Sequence, residues 1–494
     1  MSRSAPLMVC VALAALLAAC GSGSSDGTTP TPPASPPAPT RGLVGVRAFS
    51  NPDRPAVGVD VVFGDASGAV LQHTQTDASG LASFTMDAGG MVTLLVRNPD
   101  NEDAPSLQTI TDLRPGDVVQ TYASSTSSAS VPRLGSVQID FPERRVPSGT
   151  VAIQIDLGCQ SRYLYPAYGD RLQGYVVDVY QYCAQPAGAL DISVTALNGD
   201  FVPLAFSTCK GIVLNPAGKT PAHFTTGWRT DFRKFGIEYA NVVAGMTRLL
   251  PSVTPVHEGT SRGPYQGANV EVAAGESGTR TIRYPDLAEA LAFGVELLPA
   301  ANAYNGPLIV YQRYFPDLPE SARVDFATDV PPLVTNVALT DGTTVRPGAT
   351  WSAPADLSNV DLGSFNIDWQ VGRYNYAYWS VAFPPGAQPP LRVPALPEEL
   401  AAFRPPPDPQ RLRLSGVSLE SDSTVSGYHE FLAAPLASTA AGSWAFSQAL
   451  PKPSTAGGAF RAQLTPGVRT ELAWGSGFSG GIGLKGRWLR RAAP

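Results

Sequence analysis

Residues 55–84 read PAVGVDVVFGDASGAVLQHTQTDASGLASF, and their pattern predicts β-structure. From Val57 to Phe63, apolar residues fall mostly at every second position, which is the period of a half-buried strand. The tetrapeptide DASG then occurs twice, at 65–68 and 77–80, and its composition is typical of a tight turn. Strand-like segments follow both turns, at 70–76 and 81–86. The stretch therefore predicts three strands joined as a meander.

This stretch resembles the carboxypeptidase-regulatory-like (transthyretin-like) and bacterial immunoglobulin-like β-sandwiches. In those families a strand ending in Thr-Asp, here Thr76-Asp77, leads through a glycine turn into the next strand. The resemblance covers about 80 residues and implies a sandwich domain over 42–122. In such families the module is usually a spacer or adhesive domain, so the resemblance implies no catalysis.

The composition extends the all-β prediction to the whole chain. The 494 residues include 48 glycines and 47 prolines, and only 15% of the residues are charged. This combination favours many short strands separated by turns, and the length favours several domains. The formal net charge is −6 and no basic stripe is present, so a nucleic-acid partner is not expected.

Changes in composition divide the chain further. The Ser/Ala tract at 123–130 predicts a linker, after which 131–330 is rich in candidate strands, with one helix-like run at Leu287–Leu298. Two prolines at 331–332 open the C-terminal region, 331–494. Its first part resembles a fibronectin type III sandwich, with Trp351 and Trp369 as candidate core residues.

The N-terminus carries a targeting signal. A short apolar run follows Arg3 and ends in Leu17, two alanines and Cys20, and it is too short to span a bilayer. This pattern resembles a bacterial lipoprotein signal, which implies cleavage after residue 19 and lipidation of Cys20. Residues 20–41 then form a Gly/Ser/Pro tether. Because Gly21 follows the cysteine instead of aspartate, the resemblance implies lipid anchoring at the outer membrane.

Export places the remaining cysteines in an oxidising compartment. Cys159, Cys183 and Cys209 remain once Cys10 is cleaved and Cys20 is lipidated, so at most one internal disulfide is expected. If the strands at 150–158, 174–182, 190–196 and 201–207 form a meander, Cys183 and Cys209 lie at the same end of the sheet. We therefore predict a Cys183–Cys209 disulfide, although a Greek-key connection would reverse this argument.

Two short segments match the nucleophile-elbow sequence pattern of hydrolases, but the residues around them do not fit that motif. The nucleophile-elbow pattern at 259–263 lies between two prolines, and the one at 477–481 has no histidine after it. The chain has four histidines, and none has a partner at the spacing of a metal site. We expect no cofactor, no metal and no enzymatic activity. The alternative is an exported glycosidase-like hydrolase, whose carboxylate pair can come together in three dimensions without a sequence motif.

Aromatic residues supply the candidate binding surface. Tyr374, Tyr376 and Tyr378 recur with a period of two, so on a strand they share one face, while Trp379 points to the other. Such a tyrosine face can stack on sugar rings or on a partner protein, and the alternative is that it packs in a core. The sequence thus predicts a non-enzymatic, membrane-anchored lipoprotein that acts as a spacer, an adhesin or a binder of glycan or envelope protein.

Overall fold

The computed structural model describes fourteen stretches of the chain. These stretches are 40–51, 54–98, 101–122, 133–141, 146–157, 161–166, 173–180, 189–257, 260–261, 265–286, 288–299, 306–371, 376–434 and 441–451. The predicted signal peptide, Cys20 and the predicted tether up to residue 39 lie outside them. Strands dominate the described residues, which confirms the all-β fold class. No helix among them is long and apolar enough to cross a membrane.

The N-terminal segment, residues 40–122, supplies the two facing sheets of a sandwich. One contains β1, β2, β5 and β8, and the other runs β4-β3-β6-β7. Buried valines from both sheets, such as Val46 and Val61, meet in the core between them. The strands are β1 Arg41–Asn51, β2 Arg54–Pro55, β3 Asp60–Gly64, β4 Val70–Gln75, β5 Leu81–Asp87, β6 Gly90–Asn98, β7 Asn101–Leu113 and β8 Val118–Tyr122.

Both DASG turns are present, but the predicted meander is not. Asp65 accepts backbone N–H bonds from Ser67 and Ala69 at 2.8 and 2.9 Å, and Asp77 does the same within its own turn. β4 pairs with β3, whereas β5 crosses to the other sheet and pairs with β1. A meander would leave the inner face of β3 uncovered, and the crossing buries that face between two sheets.

A second sandwich spans residues 133–223. Its sheets run β11-β10-β13-β14 and β12-β9-β15 and enclose a separate core. The predicted meander is wrong here as well, because β12 lies in the sheet opposite β10 and β13. The strands are β9 Arg133–Asp140, β10 Ala152–Asp156, β11 Ser161–Leu164, β12 Gln173–Tyr180, β13 Ala189–Leu197, β14 Pro203–Val213 and β15 Lys219–His223.

The third segment, residues 233–325, contributes strands to two sheets that pack face to face. β21-β16-β24 forms one sheet, and it covers β17, β22 and β23 of the other. The strands are β16 Arg233–Ala240, β17 Arg248–His257, β18 Thr260–Ser261, β19 Tyr265–Gln266, β20 Val270–Glu271, β21 Gly278–Tyr284, β22 Ala290–Leu298, β23 Leu308–Phe315 and β24 Ser321–Asp325.

The helix suggested at Leu287–Leu298 is wrong, since Ala290–Leu298 is the strand β22. All nine of its residues are buried, and Glu296 is the one charged residue among them. The sequence of a strand that is covered on both faces is a nearly continuous apolar run. Its hydrophobic periodicity therefore does not distinguish it from a buried helix.

The C-terminal segment, residues 335–449, adds a three-stranded sheet, β25-β26-β29, over a core that contains Trp351 and Trp369. Both tryptophans are therefore core residues, as the sequence predicted. The elements are β25 Thr335–Thr340, β26 Gly348–Ser352, β27 Leu362–Gln370, β28 Tyr376–Phe383, β29 Leu391–Arg392, a 3₁₀ helix Glu398–Phe403, β30 Leu412–Asp422, α1 Tyr428–Ala433 and β31 Gly442–Ala449.

One large sheet connects these segments. It contains fourteen strands in the order β18-β17-β22-β23-β31-β30-β27-β28-β7-β6-β3-β4, with β19 and β20 also paired to β17. β7 pairs in parallel with β28, and β23 pairs with β31. Hydrogen bonding therefore crosses the predicted boundaries at 122–131 and 330–331.

Candidate functional site

The tyrosine face lies at the start of β28, within the large sheet. Tyr376 is the first residue of the strand and its side chain is 44% exposed, while Tyr378 is half-buried on the same face. Trp379 points to the opposite face and is fully buried. Tyr374 lies outside the described residues. The structure therefore places two of the three tyrosines on one face, with Tyr376 open to solvent.

The strand that carries these tyrosines is held on both edges. Tyr376 and Tyr378 pair with Gln370 and Asp368 of β27, and Tyr378 also pairs with Ser106 of β7. On the far face, Trp379 Nε1 donates a hydrogen bond to Thr109 Oγ1 at 2.8 Å. Hydrogen bonds to two neighbours and a buried indole fix the backbone, so the tyrosines sit on a rigid support.

A carboxyl group lies beside the tyrosines. Asp368 is half-buried and accepts a hydrogen bond from the Ser415 hydroxyl. Burial raises the pKa of Asp368 above its ordinary value, and the Ser415 hydroxyl and the nearby Arg413 charge lower it in part. Burial likewise raises the pKa of Tyr378. Titratable groups whose pKa is shifted by burial cluster at functional sites, so Asp368 belongs with the candidate site.

Ser415 reaches Asp368 because of a β-bulge. Asn366 pairs with Gly416 but Ile367 pairs with Leu414, so Ser415 is the extra residue in β30. Bulges re-aim side chains in this way. Neither Asp368 nor Ser415 was singled out from the sequence. The signal available was the glycine at 416 inside a strand pattern, which is typical of a bulge.

Two arginines border this face. Arg411 donates to the backbone oxygen of Gln370 at 3.0 Å, next to the exposed end of β28, and Arg413 lies opposite Asp368 and is exposed. The face thus combines aromatic rings, a carboxyl, a hydroxyl and guanidinium groups. This set can stack on a ring and make hydrogen bonds around it.

The predicted disulfide partner of Cys209 lies outside the described residues, as does Cys159. Among the residues that the structure describes, the Cys209 thiol is free, and its Sγ donates to the backbone oxygen of His223 at 3.2 Å. Burial raises the pKa of this thiol, which disfavours the thiolate. The Cys183–Cys209 disulfide stays a prediction, and the meander from which it was inferred is not formed.

The elbow-like motif at 259–263 overlaps a β-hairpin. Thr260 and Ser261 form the strand β18, which pairs with His257 and Val256 of β17. A nucleophile elbow instead needs a strand, a sharp turn and then a helix. The second motif, at 477–481, lies outside the described residues. Within the described stretches, no group of three or more His, Cys, Asp or Glu residues is placed to hold a metal ion.

Comparison with known proteins gives structural matches alone. No protein-family model and no curated protein sequence matches the chain. Among solved structures, the chain is similar to the Bacillus anthracis TIE protein, with 8% sequence identity and a TM-score of 0.15. The match covers 58% of this chain and 50% of the TIE protein. It is also similar to a putative adhesin from Bacteroides ovatus, at 9% identity over 40% of this chain and 90% of that one, with a TM-score of 0.15.

A third similar structure is the major pilin subunit of Bacillus cereus. The match has 8% identity and a TM-score of 0.13, and it covers 58% of this chain and 99% of the pilin. The all-β fold class is therefore assigned from the strands of this protein and not from its similarity to these structures.

Proposed function

We propose that the protein is a lipid-anchored, non-catalytic protein of the bacterial cell envelope that binds glycan or an envelope protein through the face of Tyr376 and Tyr378. The β-domains act as a spacer that holds this face away from the membrane. Anchoring through Cys20 follows from the lipoprotein-like signal, and the outer membrane follows from Gly21.

The exposure of Tyr376 carries this proposal. The seven other residues of β28 are buried or half-buried, yet the ring at its first position is 44% exposed. An aromatic ring on a fixed strand can bury a large area on binding without losing much conformational freedom. Tyrosine is for this reason enriched among the residues that dominate binding energy.

The chemistry around Tyr376 suits a hydroxyl-rich ligand. Gln370 pairs with Tyr376, and Asp368 lies two residues away on the same strand, β27. Ser415 lies on β30, one strand further, and donates to Asp368, so the three side chains together can donate and accept hydrogen bonds. Sugars combine apolar ring faces with hydroxyl groups, so one aromatic ring beside several polar groups matches a saccharide. A protein surface with a similar mixture is the other candidate ligand.

A comparison of two surface truncations tests the proposal. The full chain, Tyr376→Ala and Leu43→Ala are assayed against an array of bacterial glycans and against isolated outer-membrane fractions. Leu43 is 58% exposed on β1 and serves as the matched control, because its truncation also removes an exposed side chain. We expect Tyr376→Ala to weaken binding at least tenfold and Leu43→Ala to leave it unchanged. Equal binding by all three proteins would refute the proposed face.

A further inference from the structure

One apolar cluster of the large sheet draws its residues from a single layer. The side of the sheet that bears Leu249 and Phe365 packs against β21-β16-β24 and β25-β26-β29. On the opposite side, β7, β6 and β3 pack against the sheet that contains β1 and β5. The cluster lies on this opposite side, on β17, β22, β23 and β31, and we call it the one-sided cluster. Its members are Leu250, Leu298, Leu308, Val310, Trp444 and Phe446.

The one-sided cluster is nearly closed to water. Four of its side chains are 2–7% exposed, namely Leu298, Leu308, Val310 and Phe446. Among the described residues, all of its members belong to one sheet, whereas each of the four other clusters combines residues of two layers. Side chains stand roughly perpendicular to a sheet, so neighbours within the same sheet leave their tips open. Burial to this degree therefore requires a second layer over the cluster.

Acidic side chains border the one-sided cluster. Glu296 pairs with Val310, and Glu420 pairs with Phe446, so both carboxyl groups lie on the same side of the sheet as the cluster. Both acids are buried, and the Trp444 Nε1 donates to Glu420 Oε2 at 3.4 Å. A carboxylate leaves water at a large cost unless cations or hydrogen-bond donors face it. The second layer must therefore combine apolar side chains with positive charge.

The C-terminal tail, residues 452–494, is long enough to form this layer. β31 ends at Ala449, and the 43 residues of the tail begin three positions later. Other stretches outside the described ranges are much shorter, such as the six residues 300–305 between β22 and β23. Six residues extend about 20 Å, whereas crossing four strands and returning takes about 29 Å. A short connection of this kind does not cover the cluster.

The sequence of the tail meets both chemical requirements. Residues 459–474 read AFRAQLTPGVRTELAW, in which apolar residues fall mostly at every second position on either side of Pro466-Gly467. This pattern is typical of a β-hairpin with one apolar face. The tail contains seven basic residues and one acid, whereas the rest of the chain contains 28 basic and 40 acidic residues. The tail and the rest of the protein therefore attract each other.

We propose that residues 459–474 form a hairpin that docks on the one-sided cluster and supplies the second layer over β17, β22, β23 and β31. The apolar face of the hairpin covers the cluster, and basic residues of the tail face Glu296 and Glu420. The tyrosine face lies on the same side of the sheet, on β28, three strands from β31. Tyr376 remains open to solvent there, so the docked tail leaves the tyrosine face accessible.

Hydrogen exchange of the full chain tests whether the tail is ordered. We expect amides in 459–474 to exchange at least about tenfold more slowly than their intrinsic rates, because a docked hairpin protects its own hydrogen bonds. The protection should be the same at low and high protein concentration. Exchange at the intrinsic rates would overturn the proposal. Protection that rises with protein concentration would also overturn it, since a second copy of the chain would then supply the cover.

Hydroxyl-radical footprinting of the full chain tests where the tail docks. The variant replaces the four largest apolar residues of the hairpin: Phe460→Ser/Leu464→Ser/Leu472→Ser/Trp474→Ser. We expect oxidation of Trp444 and Phe446 to rise at least about threefold, because both rings lose their cover and face solvent. Trp379, which is fully buried on the other side of the sheet, should stay unlabelled. Unchanged labelling of Trp444 and Phe446 would contradict docking on this cluster.

Ile482→Ser/Leu484→Ser/Leu489→Ser is the matched control, because it makes the same kind of change in the tail outside 459–474. It should leave Trp444 and Phe446 protected, and equal labelling in both variants would refute the assignment of the cover to the hairpin. Labelling of Trp379 in the first variant would show that it has unfolded. In that case Trp474→Ser alone replaces it, with the same expected rise at Trp444 and Phe446 and the same contradicting result.

Discussion

The indole Nε1 of Trp379 lies 2.8 Å from the Thr109 hydroxyl, although 270 residues separate the two in the chain. Thr109 in turn lies 2.7 Å from Thr93 Oγ1 on β6, so its hydroxyl accepts from the indole and can donate to Thr93. This buried contact crosses from β28 to β7, where the C-terminal and N-terminal segments join. It also anchors the strand that presents Tyr376.

We predict that Trp379→Phe lowers the free energy of unfolding by about 2–3 kcal/mol, because it removes a buried donor and leaves a cavity. Thr109→Val should lower the free energy of unfolding by about 1 kcal/mol. The double variant should lose less than the sum of the two single losses. Urea unfolding of the four proteins measures the coupling. Strict additivity would show that the hydrogen bond contributes nothing to the junction.

A second prediction compares two glycines with similar backbone conformations. Gly80 has φ +74° and an added Cβ would collide with the Ala48 carbonyl, whereas Gly58 has φ +75° and open space around it. Gly58→Ala should therefore cost about 1 kcal/mol for the left-handed backbone alone. Gly80→Ala should cost about 3 kcal/mol, since it adds a steric clash in the second DASG turn. Equal losses in thermal unfolding would contradict the crossing of β5 to β1.

A third prediction concerns Asp368 and pH. Because burial raises its pKa in the folded protein, the folded state binds more protons than the unfolded state, and stability falls as pH rises through that interval. Asp368→Asn should therefore stabilise the protein at pH 8 and have a smaller effect at pH 4, close to the ordinary aspartate pKa. Unfolding midpoints at pH 4 and pH 8 measure the difference.

Asp356→Asn provides a control of opposite sign for this experiment. The backbone and side chain of Ser358 donate to Asp356 and lower its pKa. Asp356→Asn should therefore reduce the stability of the protein at pH 8 and have no effect on it in acid. If both variants respond to pH in the same direction, the assigned environment of Asp368 is wrong.

The fourth prediction addresses the anchor. Cys20→Ser removes the thiol that receives lipid in the family that the signal resembles, and stable membrane residence requires more than one acyl chain or a second signal. The variant should fold normally but move to the aqueous phase in detergent partitioning and fail to incorporate a fatty-acid analogue. Labelling that persists in the variant would refute lipidation at Cys20.

Local patterns in the sequence were sufficient to predict the turns, the all-β fold class and several core residues. The DASG turns, the buried Trp351 and the opposite faces of Tyr376 and Trp379 all follow from short-range composition and period. These local patterns did not predict which strands pair. β5 and β12 each lie in the sheet opposite the strands that precede them in the sequence. Which sheet a strand joins depends on burying both layers at once, and this is a long-range property.

The candidate site was predicted only in part for the same reason. Tyr376 and Tyr378 share a strand, and their spacing in the sequence is a period of two. Asp368 lies on the preceding strand and Ser415 on a bulged one, and their contact depends on a register shift. A single glycine at 416 indicated the bulge without revealing its partner strand.

The most direct test of the binding role is to measure stability and ligand affinity on the same variants, Tyr376→Ala and Trp379→Ala. We predict that Tyr376→Ala keeps the wild-type unfolding midpoint and loses at least tenfold in affinity for its glycan or envelope ligand. Trp379→Ala should lower the free energy of unfolding by about 3–5 kcal/mol. If Tyr376→Ala destabilises the protein as Trp379→Ala does, with no separate loss of affinity, the tyrosine is a packing residue and the proposed function is contradicted.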